Sequence, residues 1–350
     1  MDFSEQARQF GIFNDRRLEA AANSPWLFPI LLGLTTLALF IDCIGPDIVF
    51  AYRDAAHFYP PLYELVRDEW LAGRVPLWNP LLNCGQPLAG MATAGVFYPP
   101  QLLLSLLLPS PMAVNVYGIG HLVFAATGAY LLARQQRLSR PAASVAGLAY
   151  GFSGSLLFQV YNPIFAAGGA WLVWAVLFGW RLLQDGGLKN VAGLAVALAC
   201  SVLCGDPQAG YHAGLLLGLA VLLLRLPVLP SAVGLALAAS LAGLMALVQI
   251  ALAAEFMQDT ARSMDLAPQS VWQLPEFFSR GQQAAERANW YDIMIGRPPR
   301  VARQYFSTYG FSVPPWRAIE VFWPGFAGGQ GARWSLWAKL ERPDVWVASL

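Results

Sequence analysis

Residues 163–183 read PIFAAGGAWLVWAVLFGWRLL, and the only ionisable side chain in the run is Arg181, near its end. About 20 apolar residues are needed to carry a helix across the hydrocarbon core of a bilayer, so this stretch reads as a membrane span. Working outward, six more apolar runs have similar character: 25–44, 112–133, 142–159, 188–204, 208–228 and 231–254. Gly and Ser interrupt several of them, as small residues do where membrane helices pack closely. The run 101–108 is too short to cross and reads as a re-entrant or interfacial piece. The expected fold is therefore an all-α polytopic membrane protein, a bundle of about seven transmembrane helices with interfacial helices in two outer loops.

Composition agrees. Of 350 residues, 57% are hydrophobic and 12% charged, against roughly 25% charged in soluble domains. The net charge of +1 offers no electrostatic hold on polyanions, and nucleic acid is not expected as a partner. Four cysteines in 350 residues do not make a disulfide framework. Walker loops, dinucleotide fingerprints and HExxH or CxxC motifs do not occur, so a nucleotide cofactor is not expected.

Orientation follows from the basic residues beside short loops. With the N-terminus (1–24) cytoplasmic, the inner connections carry Arg134, Arg137, Arg140, Arg181, Lys189 and Arg225. The outer turns near 160–162 and 205–207 carry no Lys or Arg. The first span lacks a small-x-small cleavage site and reads as a retained anchor within a transmembrane unit 25–254. Two long segments, 45–111 and 255–345, then lie outside. The second holds ten Lys and Arg and nine Asp and Glu. Residues 346–350 turn apolar again, as the start of a further span would.

The first outer segment carries the chemistry of interest. Pro60 and Pro61 open a helical pattern with Leu62, Leu65, Val66 and Trp70 on one side, and Gly73 closes it. About 12 residues cannot span, so this helix is expected to lie in the interface. Just before it stand Arg53, Asp54 and His57. A carboxylate at a membrane surface can deprotonate an acceptor hydroxyl or hold a divalent cation; it can also simply be solvated, and spacing alone does not separate these. Asp206, Gln208 and His212 gather at the turn from the fifth to the sixth span, as a candidate pocket or as a wet turn. His121 reads as a hydrogen-bonded packing residue. Asn162 and Gln249 read as capping or interhelical hydrogen-bonding groups.

The segment resembles the first extracytoplasmic loop of the bacterial YfhO-like membrane protein family, within the GT-C glycosyltransferase superfamily. The matching elements are Arg53-Asp54, His57-Phe58-Tyr59-Pro60, Pro76-Leu77-Trp78-Asn79-Pro80, Gly85-Gln86-Pro87 and Phe97-Tyr98-Pro99-Pro100, with Gly205-Asp206-Pro207-Gln208 as a further element. The resemblance implies a GT-C-like bundle in the bacterial inner (plasma) membrane. It implies inverting transfer of a sugar from a polyprenyl-phosphate carrier to a glycan, lipid or protein acceptor, with Asp54 as catalytic residue. A phosphate leaving group needs its growing charge neutralised rather than a proton. Arg53 and the cluster Arg297, Arg300 and Arg303 are candidates for that, though a solvated loop balanced by nearby acids explains them too. A divalent cation, Mg or Mn, is the candidate cofactor, with His57 as neighbour or ligand. Related chains continue through more spans, so this one reads as a truncated product, a separately encoded half or a shortened relative. The rival readings are a non-enzymatic lipid or glycan transporter and an envelope-assembly scaffold.

Overall fold

The structure, a computed structural model, describes residues 23–258 apart from 44, 46–47, 49, 51–53 and 83. The chain divides into two units, Met1–Phe256 and Met257–Leu350, and the architecture below is that of the first. The expected N-terminal segment before residue 23, nearly all of the second outer loop, the apolar start at 346–350, and Arg53, Arg297, Arg300 and Arg303 lie outside the described residues.

The helices among the described residues are α1 (Leu27–Phe40), α2 (Asp54–His57), α3 (Tyr59–Leu71), α4 (Pro99–Leu107), α5 (Ser110–Gln135), α6 (Arg140–Gly151), α7 (Gly154–Phe158), α8 (Pro163–Asp185), α9 (Leu188–Leu203), α10 (Pro207–Leu223), α11 (Val228–Met245) and α12 (Leu247–Gln258). Proline in the first turn opens α3, α4, α5, α6, α8 and α10, where its missing N–H is not needed. The only sheet among the described residues is a ribbon of Trp78–Asn79 (β1) against Gln86–Pro87 (β2), antiparallel, with Trp78 opposite Pro87. Gly85 closes it at φ +110°, and a Cβ there would lie 2.4 Å from the Trp78 ring. Only glycine meets both demands.

Four helical stretches are long and apolar enough to cross a membrane: Ser110–Gln135, Arg140–Tyr161, Pro163–Asp185 and Val228–Met245. Leu27–Cys43, Leu188–Leu203, Pro207–Leu223 and Leu247–Met257 are apolar but shorter. Two expected spans are interrupted. The one at 142–159 stops at Gly151 and restarts at Gly154, where the Ser153 hydroxyl accepts from the Leu156 N–H at 3.3 Å. The one at 231–254 divides at Ala246 into α11 and α12.

At the centre, α8 packs against α5, α9 and α10, while α5 also packs against α6, and α9 against α11. Small residues allow this closeness: a Cβ on Gly151 of α6 would lie 2.4 Å from the Ala126 Cβ of α5. Outward, Leu34 and Leu37 of α1, Leu215, Leu219 and Leu222 of α10, and Val233, Leu237 and Leu244 of α11 are exposed. An apolar exterior of this kind suits lipid, where every helical backbone group is already paired.

Candidate functional site

The segment between α1 and α5 is tied to one end of the bundle, where α5, α8 and α10 begin and α9 ends. Asn115 of α5 makes the first tie. Its amide nitrogen donates to the carbonyls of Cys43 and Ile48, both at 2.8 Å, and its oxygen accepts from the Phe50 N–H at 3.1 Å. One buried amide thus meets three main-chain groups in the stretch leading to Asp54. No spacing pattern singles out Asn115, because an amide inside an apolar run reads as one more interhelical polar group.

Tyr59 makes the second tie. Its hydroxyl donates to the side-chain oxygen of Asn162, just before α8. Burial, then the charge of nearby Asp54, then Tyr161 push its phenol above the ordinary value, so it stays a protonated donor. The Ser110 hydroxyl at the start of α5 donates to the Pro60 carbonyl. The buried face of α3 is Tyr59, Leu62, Tyr63 and Val66, with the expected Leu65 and Trp70 only partly buried at its edge.

The third tie reaches deepest. The Trp171 indole N–H donates to the Tyr98 hydroxyl at 2.6 Å, and that hydroxyl lies 2.6 Å from His121 Nε2. His121 Nδ1 is 2.7 Å from the Tyr117 carbonyl, which can only accept, so Nδ1 carries a proton and the neutral ring accepts from Tyr98. His121 is therefore a hydrogen-bonded packing residue, eleven positions into α5, roughly 16 Å along at about 1.5 Å per residue. The segment dips well into the bundle there. Gln249 of α12 adds a fourth tie, donating to the Ala89 carbonyl at 3.0 Å. The expected roles of Asn162 and Gln249 as hydrogen-bonding groups are met, though both bond the segment rather than another membrane helix.

Within this frame Asp54 opens α2 and is exposed, as is His57 one turn on, while Ala55 between them is fully buried. The α2 helix thus turns Ala55 inward and presents a carboxylate and an imidazole to solvent. Such a pair can accept a proton from a hydroxyl that approaches from outside. No group of three or more His, Cys, Asp or Glu side chains gathers for a metal among the described residues.

The second candidate group separates. Asp206 is buried at 8% exposure, whereas Gln208 and His212 on α10 are exposed. The Asp206 carboxylate covers Gly168 of α8, where a Cβ would lie 2.0 Å from its Oδ2. Desolvation raises its pKa, opposed by the Ala209 and Gln208 amides at the start of α10 and by His212. Gly205, at φ +99°, brings the turn against Ala92, whose carbonyl oxygen would be 2.9 Å from a Cβ at Gly205. The α9–α10 turn and the Asp54 segment therefore adjoin. Asp206 has the geometry of a buried turn-former, and Asp54 that of an exposed surface carboxylate. No protein-family model, curated protein or solved structure matches this chain.

Proposed function

We propose that the chain is a membrane glycosyltransferase that moves a sugar, with inversion, from a polyprenyl-phosphate carrier to an acceptor hydroxyl. The observation that carries the proposal is the exposed Asp54 carboxylate in a segment pinned to the helical bundle by Asn115, Tyr59 and Tyr98. A base must reach an acceptor arriving from water, yet it must be held at a fixed place beside a lipid-borne donor. A solvent-facing side chain on a fastened segment meets both demands.

In this reading Asp54 takes the proton from the acceptor hydroxyl as its oxygen attacks the anomeric carbon. The bond from that carbon to the phosphate oxygen breaks on the opposite face through an oxocarbenium-like transition state. The bonding pair leaves with the polyprenyl phosphate, which needs no proton to depart. Arg53, next to Asp54 in the sequence, is proposed to neutralise that charge. His57 stands one turn on from Asp54 in α2. A divalent cation, Mg or Mn, held by Asp54 and His57 would take its remaining ligands from the donor phosphate and water, and no step is assigned to it.

The reading takes seven crossings: α1, α5, α6 with α7, α8, α9, α10, and α11 with α12. The N-terminus is cytoplasmic and Asp54 lies on the outer face of a bacterial inner membrane. Support comes from the asymmetry of basic residues between the short loops and from the loop motifs around Asp54.

The test uses membranes bearing wild type, Asp54→Asn or Asp54→Ala, supplied with a labelled polyprenyl-phosphate sugar. Both variants are expected to lose about 100-fold or more in transfer, the scale of a general base, at unchanged membrane abundance. Wild-type rates in both would remove Asp54 from the mechanism. Carrier binding with no transfer even by wild type would favour a transporter or an assembly scaffold.

A further inference from the structure

Two N–H groups on α3 have no use in the mechanism and no acceptor among the described residues. Arg67 and Trp70 stand one turn apart, on the same side of the helix. The Arg67 Nε–H and the Trp70 indole N–H are both enclosed, and neither meets an acceptor among the described residues. The acids of α3 do not serve them. Glu69 is taken by Arg74, with both contacts at 2.8 Å; Glu64 and Asp68 are exposed. The one ion pair among the described residues is that between Arg74 and Glu69.

An enclosed donor without an acceptor keeps the full desolvation cost of a hydrogen bond left unmade. Two such donors on one helical face mark a place where an acceptor arrives from outside the fold. Both residues are only partly buried overall, although the two N–H groups themselves are covered, so an acceptor reaches them as the side chains shift outward at the rim. One donor belongs to a guanidinium, whose fork matches phosphate. The other belongs to a tryptophan whose ring packs on the Tyr59–Leu62–Tyr63–Val66 cluster, on an amphipathic helix joined to membrane-length helices. Tryptophans in such positions sit at headgroup depth.

We propose that Arg67 and Trp70 form a binding site for the phosphate group of a membrane lipid. The site requires that the chain lie in a membrane and does not require that it transfer sugar. Its effect is to fasten α3, and the segment that follows Asp54, to the bilayer surface.

The full-length chain, purified in neutral detergent, is incubated with phosphatidylglycerol, with diacylglycerol of the same acyl chains, or with inorganic phosphate, and bound species are read by native mass spectrometry. Wild type is expected to retain phosphatidylglycerol and to release diacylglycerol. Arg67→Gln and Trp70→Phe, the latter keeping an aromatic side chain while losing the five-membered ring and its N–H, are each expected to weaken retention about ten-fold. Thermal unfolding in the same detergent checks that both variants are folded, and Trp70→Phe decides alone if Arg67→Gln is not. Retention unchanged in Trp70→Phe, or equal retention of diacylglycerol, overturns the site. Equal affinity for inorganic phosphate overturns the lipid as its source. Asp54→Asn is expected to hold phosphatidylglycerol as wild type does, so loss of transfer and loss of lipid are separable failures.

Discussion

The Asp54 segment and the α9–α10 turn each carry an acidic residue at the same end of the bundle, and they treat it in opposite ways. The segment buries its amides and phenols and leaves Asp54 in water. The turn buries Asp206 itself and leaves Gln208 and His212 outside. Burying a carboxylate spends solvation to shape a turn, and the group becomes hard to ionise. Burying the anchors instead leaves the carboxylate free to act. The difference separates an acid that builds structure from one available for chemistry.

The comparison breaks most visibly at Asn115. Asn115→Leu leaves the Phe50 N–H and the Cys43 and Ile48 carbonyls without their partner, and a loss of about 3 kcal/mol is expected at about 1 kcal/mol or more per group. Thermal unfolding of the solubilised protein measures it, and an unchanged midpoint would mean that the approach to Asp54 is not held there. Next comes Gly168→Val, which places side-chain atoms where the Asp206 carboxylate lies. About 2 kcal/mol of overpacking is expected, and a stability equal to wild type would show that Asp206 does not occupy that seat. Tyr59→Phe removes the donor to Asn162 at a cost of about 1 kcal/mol, read from the same melting curves.

The smallest effect is one of pH. The Asp206 carboxyl is raised in the folded state by desolvation, so the fold binds its proton more tightly than the unfolded chain does. Stability from this group is greatest below the ordinary carboxylate range and falls as pH rises toward the raised value. Above that value the penalty is complete. Asp206→Asn is expected to flatten this part of the stability–pH curve and to lose nothing at neutral pH. A steeper curve, or a marked loss at pH 7, would mean that the ionised carboxylate is held by favourable contacts.

The membrane character was legible because α8 and α5 are apolar over most of a membrane-spanning length. The interruptions were not: Gly151-Phe152-Ser153-Gly154-Ser155 reads as small residues at a packing face rather than as a break, and the sequence through Ala246 stays apolar. The α3 helix was legible from Pro60, Pro61 and Gly73, but its buried face was not. Tyr59 and Tyr63 look amphipathic in sequence, and only the fold supplies Asn162 and the ring of Tyr117, 6.0 Å from Tyr63, to receive them. The pairing of Tyr98 with His121 and Trp171 joins residues 23 and 73 positions apart, which no local pattern encodes. Asp54 and Asp206 were both visible as candidates, because an acid between apolar runs stands out. Which of them is exposed depends on Gly168 and Ala55, small residues whose role appears only once helices are packed.

The most direct measurement sets the two acids side by side: transfer of labelled sugar from a polyprenyl phosphate by membranes carrying Asp54→Asn or Asp206→Asn at matched abundance. The account predicts that Asp54→Asn falls about 100-fold or more while Asp206→Asn stays within a few-fold of wild type. Full transfer by Asp54→Asn, or loss confined to Asp206→Asn, would contradict it.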